Sequence, residues 1–499
     1  MVAGGSLAVT VNGDTPASAM LPMGSSTAYE LARFDFTEGT GAEAVNVSKI
    51  IVTDTSSAAT DLVDISLDLE GYTGTGVGPN SSFITATNGT TTFNLGSNWT
   101  IPAGETKVMK VMAKTKAYGS ATAGSQHVIN IAAGTTEITA RGQAAVTVTV
   151  GASIAGNTFK VYRTVMSAAL GAGSGGSGKL RSSTDTVMKL TLTANPAHQA
   201  QLRAGTTVDS ITDAVSPSGS TLGDGDWTAV SASTTVAVNT GTPVYGTNAI
   251  RFTQNAGPSA ADGMLYTFDA AQDWSSYSKL GFWLRSSQTA DSINFYFNDS
   301  TAGASASTTT AIVAVNTWQY VEVTLTTVAA SKDGVTKFTV DTATALTAGD
   351  TVDVDNLRLY NDSISLTVGG NLNATVAESG GCPWYLQTSG GTVKATGYFS
   401  GTATAGTVIL VPDSLISIGS SDVTYDIQTD TASGSTDNML ADLVASETHS
   451  MTVAVSVGNS GSAGSFRWYD GAVGVTAPVT WVSALSSTLS SSNGYMSGS

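Results

Sequence analysis

The chain of 499 residues carries 21 Lys+Arg against 38 Asp+Glu, a formal net charge of −17, with 41% hydrophobic residues and one cysteine, Cys382. That length exceeds a single hydrophobic core and makes three domains the natural division, while the hydrophobic share excludes a disordered Ser/Thr-rich stalk. The acidic balance disfavours nucleic acid and anionic membrane surfaces as partners, the lone cysteine excludes an intrachain disulfide, and no apolar run is long enough to span a bilayer.

Strand-period alternation dominates and helix-period stripes are nearly missing. Strands are predicted at Leu7–Val11, Ala32–Phe36, Phe93–Leu95, Met109–Ala113, Ile129–Ile131 and Val146–Val150. The clearest alternation sets Val63, Ile65, Leu67 and Leu69 on one face and Asp64, Ser66, Asp68 and Glu70 on the other. Clusters of Gly, Asn, Ser and Thr separate these runs, which is the pattern of an antiparallel sandwich. Residues 1–151 are therefore read as a first β-sandwich. The opening MVAGGSLAVTV has no charged n-region or apolar h-region, so the export signal that the polar composition calls for is expected to have been removed ahead of this numbering or replaced by the starting Met.

A weak internal repeat follows. YELARFDFTEG, ending at Gly39, has the polarity pattern of DTVMKLTLTAN, ending at Asn195. WTIPAGETKVMKVMAKTK, from Trp99, is similar to LISIGSSDVTYDIQTDT, from Leu415, and each precedes a strand led by a histidine, His127 or His449. The second copy is thus a sandwich split into residues 152–206 and 361–475, with a block of different composition, 207–360, inserted in one of its loops. Residues 476–499 form a Ser-rich tail, a possible assembly segment.

The inserted block holds Trp227, Trp274, Trp283 and Trp318 and several tyrosines. Phe282 and Leu284 alternate with Trp283 and Arg285; Phe295 and Phe297 with Asn294 and Tyr296; Val321 and Val323 with Tyr320 and Glu322. One face of each strand is apolar and the other pairs aromatic rings with hydrogen-bonding groups. Such a face suits a pyranose, whose C–H side stacks on a ring while its hydroxyls seek amides, Arg or carboxylate. It equally suits a sheet face buried against a neighbouring domain.

The segments LGDGDW, YGTNAIRFTQ, DWSSYSKLGFWLRS, NTWQYVEVTL and VDVDNLRLYND, in this order across 207–360, resemble the jelly-roll carbohydrate-binding modules that accompany bacterial glycan-degrading enzymes. The resemblance implies a β-jelly roll and a structural Ca2+ held by Asp355 with Asp224 and Asp226, with turn capping an equal explanation of the DGD run. It also implies a glycan site, which strand polarity assigns to Trp283, Arg285, Asn294, Tyr296 and Tyr320. The flanking segments resemble the Ig-like repeats of large bacterial surface proteins and S-layer-type proteins, with TIPAG entering a strand, and this implies display or assembly.

Motifs for catalysis fail on spacing or context. His127, His198 and His449 are scattered and form no zinc pair. The Gly173–Lys179 run nearly completes a phosphate loop, but Leu180 stands where a Ser or Thr would hold Mg2+. A glycosidase needs two carboxylates across a cleft, and the chain has no large catalytic domain beside its module. Cys382 reads as a buried small hydrophobe, or else as an intermolecular bridge. Six sequons, at Asn46, Asn80, Asn88, Asn98, Asn298 and Asn373, depend on the host for their use.

The sequence thus describes an all-β, non-enzymatic extracellular or cell-surface protein: Ig-like β-sandwiches plus an inserted jelly roll. One reading is a homo-oligomeric lattice or filament, in which edges such as Leu7–Val11 or the tail after Trp481 pair between subunits. The other is a monomeric glycan-binding adhesin, or a non-catalytic subunit of a glycan-degrading system.

Overall fold

The computed structural model describes residues 5–56, 61–78, 89–117, 124–132, 136–143, 146–150, 154–174, 184–195, 199–207, 225–241, 243–288, 292–312, 314–325, 331–373, 382–431, 439–440, 448–455, 466–470, 479–481 and 485–492. The chain is all-β. It divides into two compact units: Met1–Val165 with Ala194–Gln199 and Asp470–Val475, and Met166–Thr193 with Ala200–Tyr469 and Thr476–Ser499.

The first unit is a sandwich of β1 (Ser6–Val11), β2 (Ala19–Pro22), β3 (Tyr29–Glu38), β4 (Val45–Ser56), β5 (Leu62–Leu69), β6 (Gly89–Ile101), β7 (Thr106–Thr115), β8 (Ser125–Ile131), β9 (Ile138–Arg141), β10 (Thr147–Val150) and β11 (Ile154–Tyr162). One sheet runs β10-β1-β3-β7-β5 and the other β2-β11-β8-β4-β6, with β9 on β4. Alternate residues such as Phe34, Phe36, Val47, Phe93 and Trp99 fill the space between them. Five of the six strands predicted in this region lie within these elements, and the sixth, Val146–Val150, begins one residue ahead of β10.

Three expectations change. The sandwich runs past residue 151, because β11 pairs with both β8 and β2. The strand at Leu7–Val11 offers no edge: β10 lies parallel on one side of β1 and β3 antiparallel on the other, and Leu7 and Val9 are buried. In β5 the buried phase begins at Leu62, not Val63. Asp64 has a left-handed φ of 51° and the register with β7 shifts between Val63 and Ser66, so a bulge displaces the alternation by one residue.

The second unit opens with β12 (Val165–Leu170), β13 (Asp185–Asn195) and β14 (Ala200–Leu202). The chain then enters a jelly roll of β15 (Thr206–Thr207), β16 (Gly225–Ala229), β17 (Thr234–Asn239), β18 (Ala249–Gln254), β19 (Gly263–Gln272), β20 (Lys279–Ser286), β21 (Ser292–Asp299), β22 (Gly303–Ala304), β23 (Thr308–Ala311), β24 (Gln319–Thr324), β25 (Val335–Thr342) and β26 (Thr351–Tyr360). It returns through β27 (Ser363–Gly370), β28 (Pro383–Thr388), β29 (Val393–Gly401), β30 (Ala405–Pro412), β31 (Ile416–Ile418), β32 (Val423–Thr429), β33 (Thr448–Val455), β34 (Phe466–Asp470), β35 (Val479–Trp481) and β36 (Leu485–Ser492).

The two sandwiches share one topology. In the first, β1-β3-β7-β5 and β6-β4-β8-β11 are neighbours; in the second, β12-β13-β32-β28 and β30-β27-β33-β36 are neighbours, in the same order along the chain. The repeated sequence segments fall on equivalent strands, β3 with β13, β7 with β32, and β8 with β33. The jelly roll therefore occupies the connection that the first sandwich closes between β3 and β4 with a short turn. Its entry and exit are tied together: β15 pairs with β26, and Asp362 accepts both the backbone N–H (2.5 Å) and Nε–H (3.1 Å) of Arg203.

The jelly-roll sheets are β17-β18-β26-β20-β24, with β15 on β26, and β16-β19-β25-β21-β22, with β23 on β21. Phe282 from one meets Phe295 from the other, ring centroids 4.5 Å apart, within a core that includes Trp227, Tyr266, Trp274 and Phe338. Within β26, Val352 and Val354 face this core, and then Leu357 and Leu359 do. The phase flips at Asn356, whose φ is 48°, a conformation Asn tolerates better than most residues. This bulge turns Asp353, Asp355, Arg358 and Tyr360 together to the outer face.

Candidate functional site on the jelly-roll faces

Each jelly-roll sheet has an outer face, and the predicted glycan-site residues divide between them. Trp283, Arg285 and Tyr320 stand on β20 and β24; Asn294 and Tyr296 stand on β21 of the other sheet. Side-chain alternation placed each residue on an outer face but could not tell that the sheets differ.

The face of β20, β24 and β26 is covered by the second sandwich. Alternation along β29 turns Thr396, Tyr398 and Ser400 one way, and all three meet the jelly roll. Thr396 accepts from Arg358 at 3.2 Å, Ser400 Oγ accepts the Tyr320 N–H at 3.0 Å, and Tyr398 lies edge-on to Trp283, centroids 6.4 Å apart. Arg358 also pairs with Asp413 of the same sandwich at 2.8 Å. Trp283 is only 1% exposed as a result, and with Val244, Ala249 and Trp318 it forms a small separate core. The residues read as a stacking platform, Trp283 and Tyr320, are thus seam residues, and no sugar can reach the Trp283 ring. Arg285 is half-buried nearby and donates from Nε to the Asn316 carbonyl at 2.8 Å.

A hydrogen-bonded row lies on the jelly-roll side of this seam. Tyr320 donates to Tyr360 Oη at 3.1 Å, Tyr360 donates to Glu322 Oε2 at 2.6 Å, and Glu322 pairs with Lys279 at 2.5 Å. Burial, with Tyr320 and Glu322 beside it, pushes the Tyr360 phenol well above its ordinary range. Gly281 makes the row possible, since a Cβ there would lie 1.8 Å from the Tyr320 hydroxyl.

The outer face of β21 and β25 is different. Asn294 stands opposite Asp341 and Tyr296 opposite Thr339. Asn294 Nδ2 donates to Asp341 Oδ1 at 2.9 Å, and Thr309 donates to Asn294 Oδ1 at 2.7 Å. Burial and the nearby Asp341 carboxylate raise the Tyr296 pKa. Lys337 and Thr309 on this face are exposed, and Asn294, Tyr296 and Asn298 half-exposed. Beside Tyr296 a crevice of about 60 Å³ opens between the sheets. That is far below the roughly 300–1,000 Å³ of a small-molecule pocket, so this face can only act as an open platform. Asp341 was not foreseen; it lies in VTKFTVDT, whose alternation shows an outward residue but not the strand it will adjoin.

The calcium expectation meets a carboxylate that is already satisfied. Asp355 is fully buried; its Oδ2 accepts the N–H groups of Val244 (2.6 Å) and Tyr245 (3.0 Å), and its Oδ1 that of Asn356 (2.7 Å). Two N–H donors take Oδ2 and a third takes Oδ1, so the carboxylate fits a backbone anchor better than a calcium ligand. Asp226 lies on β16, in the other sheet, and Asp224 lies outside the described residues. Among the described residues, no group of three or more His, Cys, Asp or Glu is arranged to hold a metal.

One constellation imitates a catalytic triad. Ser125 Oγ lies 3.0 Å from His127 Nε2, and His127 Nδ1 lies 2.7 Å from Asp54 Oδ2. The three residues are 3%, 1% and 1% exposed, so no substrate reaches the hydroxyl, and the row joins β4 to β8 inside the first sandwich. His449 is half-buried on β33, and His198 and most of the Gly173–Lys179 run lie outside the described residues. Cys382 is buried with Sγ 3.2 Å from Thr429 Oγ1.

No family model matches the sequence, and no curated protein matches it. Among solved structures the chain is similar to an exo-β-agarase (14% identity, 27% of this chain and 22% of that one, TM-score 0.23). It is also similar to an α-L-arabinofuranosidase bound to arabinose (18%, 33% and 30%, TM-score 0.27). A family 11 carbohydrate-binding module from Clostridium thermocellum, solved with a mixed-linked tetrasaccharide, matches over 32% of this chain and 96% of its own at 15% identity and TM-score 0.23. The chain spans less than a third of the agarase and the arabinofuranosidase. Likenesses of this size transfer no ligand and no activity.

Proposed function

We propose that this is a non-catalytic extracellular surface protein whose jelly roll binds glycans on the outer face of β21 and β25. The observation that carries this reading is the row Thr309–Asn294–Asp341–Tyr296. It sets an aromatic ring among hydrogen-bonding groups that the sheet holds rigid, so little ordering entropy is lost on binding. The opposite jelly-roll face is occupied by the second sandwich, which leaves this one for a ligand and fixes the module on its scaffold.

A glycan array with wild type and Tyr296→Ala tests the site. The expected result is a loss of at least about tenfold in affinity for the glycans held on this face, the scale of removing one hot-spot ring. Equal binding by both proteins rejects the platform.

The duplicated sandwich supports a second, wider reading: a structural subunit of the S-layer type, with Ig-like repeats tiled into a lattice or filament. Because β1 is paired on both sides, assembly would use other surfaces than the N-terminal strand. Electron microscopy of the purified protein tests it, and dispersed single particles at high concentration reject it.

A further inference from the structure

We propose a second saccharide site, a ledge formed by Tyr245 of the jelly roll and Tyr398 of the second sandwich; for its class of ligand it rests on the glycan-binding reading above. Tyr245 is 43% exposed, while the loop that carries it is anchored to the sheet. Its own N–H and that of Val244 are both bound by the buried Asp355 carboxylate. A charged acceptor in a buried position gives strong hydrogen bonds, so this aromatic side chain is presented on a fixed backbone.

The ring is supported from below as well. Tyr245 and Tyr398 meet edge to face, centroids 6.0 Å apart at 72°, and Tyr398 meets Trp283 in the same manner at 6.4 Å and 83°. Neither contact stacks ring faces, so the pair keeps a face for a third partner, and the apolar side of a pyranose is the kind of surface that fits it.

A donor at the same place is unused. Asn239 ends β17 and pairs with Ala249, which packs with Val244, Trp283 and Trp318 under the Tyr245 loop. Its Oδ1 accepts the Gly241 N–H at 3.0 Å, but its Nδ2, shielded from solvent, has no acceptor among the described residues. An unmatched buried donor is costly, and a single water lodged beside it would supply the acceptor and relay to a sugar hydroxyl on the ledge. The Tyr245 phenol adds a polar group on a side chain that is itself exposed. Because one ring comes from each module, the ledge exists only while the jelly roll stays docked, which distinguishes it from the β21–β25 platform.

The test uses the full chain in four forms, wild type, Tyr245→Ala, Tyr245→Phe and Tyr296→Ala, on an array of neutral plant, algal and bacterial oligosaccharides. Trp fluorescence is followed on addition of the best-bound one. Tyr245→Ala is expected to weaken binding at least tenfold for the glycans still bound by Tyr296→Ala, and to remove the fluorescence change, with an unaltered melting temperature. Tyr245→Phe, which keeps the ring, is expected to retain most of both. Losses on Tyr296→Ala with none on Tyr245→Ala overturn the ledge alone, and failure of the wild type to bind any glycan overturns both sites. A Tyr245→Ala protein that melts earlier and shows no selective loss marks the ring as seam packing and also overturns the ledge.

Discussion

Asp355 and Tyr245 stand at opposite extremes of exposure, 0% and 43%, yet the Asp355 carboxylate accepts the Tyr245 N–H at 3.0 Å. A residue whose sequence position suggested a metal ligand is instead the anchor of a loop. Burial of a carboxylate is costly unless its oxygens are matched, and here three backbone amides match them.

Asp355→Ala should therefore unfold more readily in urea than wild type, by roughly 2 kcal/mol or more, because three buried N–H groups lose their acceptor. The effect should be the same in EDTA and in millimolar CaCl2, and the wild-type melting temperature should not respond to either. A wild-type melting temperature that falls in EDTA, with no such fall in Asp355→Ala, would restore the calcium site.

Gly281→Ala should destabilise the jelly roll by roughly 1–3 kcal/mol through overpacking against the Tyr320 hydroxyl. Tyr320→Ala in the same chain removes the clash, so the double substitution should cost less than the sum of the two singles. Strict additivity in urea melts would show that the two residues do not collide.

Glu38 provides a pH dependence for the first sandwich. It accepts N–H groups from Ser6, Thr40, Gly41 and Gly104, and the Thr40 hydroxyl, the strongest of these influences, helps hold its pKa at about 2 against an ordinary 4.5. A depressed carboxylate pKa adds stability that is complete above the unfolded value and is lost as pH falls towards the folded one. The urea midpoint of the first unit should thus drop between pH 4.5 and 2, and Glu38→Gln should flatten that drop while lowering stability at pH 7. An identical pH profile in the two proteins would falsify the assignment.

Cys382 is buried at 0% exposure beside Thr429. Its thiol should react with Ellman's reagent only in denaturant, at the rate of unfolding, and non-reducing gels of the native protein should show monomer. Rapid native labelling, or a disulfide-linked dimer, would return Cys382 to the surface as an intermolecular bridge.

The strands were legible because alternation is a local signal: Leu7 and Val9, or Phe34 and Phe36, announce their face without help from the rest of the chain. Two kinds of information were not. Bulges at Asp64 and Asn356 each reverse the phase within a strand, and nothing local marks which Asp or Asn takes a left-handed φ. The fate of an outward face is not local either. Trp283 and Tyr296 have the same pattern around them, yet β29 covers one and leaves the other, because the cover comes from Tyr398 and Ser400, more than a hundred positions downstream. The repeat segments were readable, and the shared topology explains why: equivalent strands keep the same buried phase.

The insertion also imposes an order on synthesis. β13 is translated long before its partner β32, with the whole jelly roll between them, so at roughly 5–20 residues per second the nascent second sandwich waits on the order of ten to fifty seconds for its other half. The first sandwich and the jelly roll have no such delay and can close as they emerge from the ribosome. During the wait β13 has β12 on one side but an open edge on the other, and its apolar residues Met188, Leu190 and Leu192 lack the cover that the later strands bring.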